Sequence, residues 1–119
     1  MLNLFSFFHL NLAYSAIEEN DRQAVIDKCY WPLLSMARET GIPLGIELTG
    51  WTLEQIHQLD PEWIKEFKAL LSIGRCQLIG SGYSQIIGPL VSHILTEKNL
   101  LLGQSTYQQL LGLTPNIAL

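Results

Sequence analysis

The chain has 119 residues, and 48% of them are hydrophobic. Only 15% are charged, against about 25% in an average soluble domain. Seven Lys and Arg against eleven Asp and Glu leave no basic surface for nucleic acid. The abundance of Leu and Ile excludes disorder, and no apolar run approaches the roughly 18 residues of a membrane span. Two cysteines, Cys29 and Cys76, are too few for a disulfide framework and fit reduced thiols in the cytoplasm.

The first apolar run, Asn3 to His9, is rich in Phe and too short for a helix, so it reads as a buried strand. It lacks the basic start and unbroken apolar centre of a secretory signal, since the first Arg is Arg22. After the polar turn Glu18-Glu19-Asn20-Asp21, the residues Val25, Ile26, Cys29, Leu33, Met36 and Ala37 recur at helical spacing. Asn20 serves as the expected N-cap and Gly41 as the stop, with a kink or break at Pro32. Pro43 to Leu48 reads as a second strand, and Gly50-Trp51 as a turn. Thr52 with Gln55 has the form of a capping box for a short helix ending near Leu59. Asp60-Pro61-Glu62 opens another helix, with Trp63, Ile64, Phe67, Leu70 and Leu71 as its apolar stripe and Gly74 as its end.

Cys76 to Ile79 reads as a third strand, followed by a Gly-rich loop from Gly80 to Pro89. A helix is expected from about Thr96 to Leu111, with Leu100, Leu101, Tyr107, Leu110 and Leu111 apolar, stopped by Gly112. Pro115 to Leu119 begins a fourth strand. The order β-α-β-αα-β-α-β, with no hairpin signal, predicts an α/β fold with a parallel sheet in one domain, residues 1–119, or part of one.

Functional groups of parallel α/β folds gather at the C-terminal ends of strands. That rule selects His9 and Asn11 after the first strand, Glu47 and Trp51 after the second, and Tyr83 and Gln85 after the third, with Tyr14 and Ser81 close by. Neutral hydrogen-bonding groups beside aromatic faces suit a polar, uncharged, ring-shaped ligand, and a sugar is the candidate. Each residue also has a structural role open to it: His9 as a paired core histidine, Trp51 as packing, the glycines as turn formers. Glu47, inside a strand-like run, must be paired or protonated if buried. His57 reads as solvated, and His93 follows the loop with no clear place. A nucleotide loop, a G-x-S-x-G elbow and a CxxC pair are all missing.

Phe8-His9-Leu10-Asn11 resembles the first motif of glycoside hydrolase family 57, in which a His followed by Gln-Pro ends the first strand; here Leu10-Asn11 replaces Gln-Pro. Gly74-Arg75-Cys76-Gln77, leading into Leu78-Ile79-Gly80-Ser81-Gly82-Tyr83, resembles its second motif, Gly-x-x-Glu before a Gly-Gly-Tyr-like stretch, with Gln77 in place of Glu. The resemblance runs from His9 to Leu119 and implies a seven-stranded (β/α) barrel related in fold to the polysaccharide deacetylases. This chain would form its N-terminal part, truncated after about strand four, with the C-terminal half of the barrel as its missing partner.

The resemblance further implies action on α-linked glucans or a similar polysaccharide. His9, Asn11, Glu47, Trp51, Tyr83 and Gln85 would bind substrate, with no cofactor and no metal. The family's nucleophile Glu ends strand four and its acid/base Asp comes from a later strand; neither is found before Leu119, so the chain alone is expected to be inactive. Two alternatives are a metal-dependent deacetylase-like enzyme, which needs Asp and His ligands at strand ends, and a non-catalytic sugar-binding module. An opened barrel would also account for the thin charge, and the isolated chain would then aggregate or be only marginally stable.

Overall fold

The computed structural model describes residues 2–118. Four parallel strands, β1 (Phe7–Leu10), β2 (Leu44–Leu48), β3 (Cys76–Gly80) and β4 (Ile117–Ala118), form one sheet in chain order. The register sets His9 beside Glu47, and Glu47 beside Ile79. Alternate residues point to opposite faces. Leu10, Ile46, Leu48 and Leu78 face the helices and form the core with Ile26, Leu34, Leu53, Trp63, Phe67 and Tyr107. Phe7, His9, Glu47, Gln77 and Ile79 belong to the other face, on which Phe7, His9 and Gln77 are exposed while Glu47 and Ile79 are buried.

β1 is shorter than the run Asn3 to His9 suggests. Its pairing ends where Gly45 N–H donates to Ser6 O at 2.9 Å; Leu44 N–H turns the other way to Arg75 O, and Pro43, two residues before Gly45, has no N–H to donate. Leu4 and Phe5 therefore have no strand to join and are exposed. Phe7 is 53% exposed, so the first strand is not buried on both faces as its composition suggests.

A 3-10 turn (Glu19–Asp21) leads into α1 (Arg22–Val25), a π turn (Ile26–Tyr30) and α2 (Trp31–Thr40). Asn20 lies in the 3-10 turn rather than capping a helix. The expected break lies just before Pro32, which sits in the first turn of α2. Because the π turn is one residue wider than an α turn, it shifts the phase of α2 relative to α1. The buried stripe becomes Ile26, Tyr30, Leu34 and Ala37, whereas Cys29 and Met36 are exposed. Gly41 ends α2 in the left-handed conformation, φ 69°.

α3 spans Gly50–Leu59, so Gly50 and Trp51 are its first turn and not a separate bend. Its cap is Thr49, whose Oγ1 accepts Thr52 N–H at 3.2 Å. Thr52 is spent elsewhere: its buried hydroxyl accepts Leu12 N–H at 3.3 Å and ties the chain after β1 to α3. α4 (Pro61–Ser72) begins at Asp60, which accepts both Trp63 N–H at 3.3 Å and the Trp31 indole N–H at 2.7 Å. α5 (His93–Leu111) starts three residues before Thr96, capped by Ser92. Its expected stripe holds only at its C-terminal half, where Tyr107 and Leu111 are buried; Leu100 and Leu101 are exposed because the N-terminal half rests on the Gly-rich loop rather than on the sheet. No described helix is long and apolar enough to cross a membrane.

Candidate functional site

His9 and Glu47 stand side by side at the C-terminal ends of β1 and β2, and His9 Nδ1 bonds Glu47 Oε2. Glu47 is 5% exposed, while the His9 ring remains open to solvent. A buried carboxylate next to an imidazole is an arrangement that can hold or hand over a proton at the exposed ring edge. The pair borders an open cavity of about 480 Å³ that is also lined by Ser81, Gln85 and Asn99.

The Gly-rich loop is held over the strand ends by backbone groups. Gly50 N–H and Trp51 N–H, two free donors of the first turn of α3, bond the carbonyls of Gly82 and Tyr83 at 3.1 and 2.9 Å. On the other side, Asn99 accepts Tyr83 N–H at its carbonyl (3.0 Å) and Ser84 N–H at its side chain (2.8 Å), and donates to Ser84 O (2.9 Å). Beneath the loop, the Tyr107 hydroxyl donates to Leu48 O at 2.5 Å and accepts Ser81 N–H at 3.0 Å. Neither Asn99 nor Tyr107 is suggested by the strand-end rule. For Tyr107, the available signal is that a buried phenol needs a partner for its hydroxyl.

The six residues selected from the sequence do not share one cavity. His9 and Glu47 line the first cavity. Asn11 and Trp51 line a second one, of about 580 Å³, and Gln85 lines both. Asn11 Nδ2 donates to Gln85 Oε1 at 3.2 Å, while Asn11 Oδ1 accepts Ala13 N–H at 3.0 Å and fixes the turn. Tyr83 lines neither cavity: its hydroxyl donates to Glu54 Oε2 at 2.6 Å, which raises its pKa, chiefly through that hydrogen bond. Arg22 places its guanidinium 5.0 Å from the centre of the Trp51 ring.

His57 and His93 are exposed and line neither cavity. Gln77 is exposed on β3, on the face opposite the helices. Among the described residues, no three His, Cys, Asp or Glu side chains are grouped as metal ligands would be.

No curated protein matches the chain. The crystal structure of 4-alpha-glucanotransferase from Thermococcus litoralis superposes with a TM-score of 0.78 at 15% sequence identity, over 93% of this chain and 17% of that one. At that identity the likeness shows the fold: the four parallel strands and their helices correspond to part of the barrel architecture, and the chain spans about a sixth of the length of the protein it matches. The family model for glycosyl hydrolase family 57 matches residues 6–118, nearly the whole chain. By that match, the chain belongs to glycosyl hydrolase family 57.

Proposed function

We propose that this chain is the N-terminal portion of a catalytic (β/α) barrel and supplies the substrate-binding side of a site that cleaves or transfers glycosidic bonds in α-glucans. The observation that carries the reading is the His9–Glu47 pair, set at the C-terminal sheet edge in a cavity whose other lining is uncharged: Ser81, Gln85 and Asn99 offer hydrogen bonds, and Ile86 and Leu100 offer apolar surface. Family membership supports it, as does the likeness to the 4-alpha-glucanotransferase. The free thiols of Cys29 and Cys76 accord with a cytoplasmic setting.

Retaining glycoside cleavage uses two carboxyl groups about 5–5.5 Å apart. Glu47 is the one carboxylate that lines the cavity among the described residues, and it is engaged by His9. The chain by itself should therefore bind a glucan and leave it uncut. Titration of the ¹⁵N-labelled chain with maltotriose should shift the amides of His9, Glu47 and Ser81 to Gln85, and His9→Ala should weaken that response. A reducing-sugar assay on the same sample should stay flat. Maltotriose shifts confined to other surfaces would overturn the binding assignment; cleavage at an enzyme-like rate would overturn the need for further carboxyl groups.

A further inference from the structure

Resting on the α-glucan-binding reading, we propose that the site takes a linear glucan laid through both cavities, with Gln85 seated between two successive stretches of the same saccharide chain. The two cavities are neighbours rather than separate sites, since Ser84, Gln85 and Ile86 line both. Gln85 leans toward β1, where its Oε1 accepts Asn11 Nδ2, and this contact makes the divide between them. In that position the Gln85 amide can meet hydroxyls on either side without a large movement of the loop.

The two cavities differ in chemistry. The first holds an ionisable pair, a buried carboxylate with an exposed imidazole. The second is lined by no ionisable side chain: Asn11, Thr49 and Ser84 offer neutral donors and acceptors, while Trp51 and Ile87 offer apolar surface. Neutral amides and hydroxyls beside an indole suit a sugar ring, which presents hydroxyls at its rim and C–H groups on its faces. Arg22 beside the indole helps to hold the ring in place. A compact monosaccharide would fill one cavity and ignore the other. A linear oligosaccharide repeats the same chemistry at intervals and can use both, so chain length should govern affinity.

The test compares glucose with maltotetraose by calorimetry and by ¹⁵N shifts that include the Trp51 indole N–H. Maltotetraose should bind at least about tenfold more tightly than glucose, as one or two additional net hydrogen bonds imply. It should perturb the His9 and Trp51 regions together. Trp51→Ala should weaken maltotetraose about tenfold, and by more than it weakens glucose. Because Trp51 is half-buried in α3, Ile87→Ser provides a second variant at an exposed loop position (66% exposed) that lines only the second cavity. It should reduce maltotetraose affinity in the same direction. Equal affinities for the two sugars, or maltotetraose binding untouched by both variants, would overturn the two-cavity path while leaving sugar binding at His9 and Glu47 in place. Failure of both sugars to bind would overturn the sugar-binding reading itself, and the two-cavity path with it.

Discussion

The hydroxyl of Tyr107 joins the ends of two strands, because one group serves both Leu48 O and Ser81 N–H. Tyr107→Phe removes it and leaves both backbone groups without a partner in a buried place, a cost of about 1–3 kcal/mol. Burial pushes its phenol up from 10.0 to about 12, and that of Tyr30 likewise. Between those values the unfolded chain has lost the proton and the folded chain keeps it, so stability must fall as pH rises from about 10 toward 12. Urea unfolding at pH 7 to 11.5 should show this decline in the native sequence. The Phe variant should be weaker at pH 7 but decline less steeply; parallel curves for the two proteins would refute the assignment. Tyr107 was hidden from sequence reasoning because its partners are backbone atoms of two other elements. His9 and Glu47 were legible because each ends a strand, and a parallel sheet in chain order sets such ends side by side.

Elements were legible where a local rule decided them and misread where a neighbour did. Asp60-Pro61 starts α4, and Gly41 and Gly112 end α2 and α5 in the left-handed conformation, as their chemistry dictates. The α3 cap shifted to Thr49 because Thr52 is committed to Leu12 N–H. The π turn moved the buried stripe off Cys29 and Met36, an effect no periodicity count anticipates. The helix–loop contact at Gly103 gives a prediction that runs against helix propensity. Ala in place of Gly in a helix interior normally adds about 1 kcal/mol of stability. At Gly103 a Cβ would come within 2.8 Å of Gly82 C, 2.9 Å of Tyr83 N and 3.0 Å of Ser81 O, all backbone atoms. Gly103→Ala must push α5 away from the loop, so it should destabilise the chain by about 1–3 kcal/mol and blur the amide signals of residues 81–85. A variant that melts higher than the native chain would show that the contact is slack.

At the scale of the whole molecule, the thin charge and the open architecture meet. The accessible surface is 7543 Å². A compact protein of 13.4 kDa exposes about 6,500 Å², so roughly 1,000 Å² is in excess. The dimensions, 43 × 42 × 26 Å, are those of a slab of one sheet and one helix layer. The excess includes the exposed residues of the sheet face opposite the helices and the outer edges of β1 and β4, which are unpaired among the described residues. Phe7 at 53% and Ile117 at 44% exposure mark that face, in register with Gly45 and Ile79. Apolar surface beside free strand edges favours association. The isolated chain should therefore bind a hydrophobic dye and show a mass that rises with concentration in light scattering. Phe7→Lys with Ile117→Lys puts two charges on the face at sites that bury little. The pair should suppress association and shift the unfolding midpoint by no more than the equivalent of about 0.5 kcal/mol per site. Two results would count against association through this face: a monomer at all concentrations without dye binding, or association unchanged by the two lysines, which would assign the contact to the exposed leucines of α5 instead.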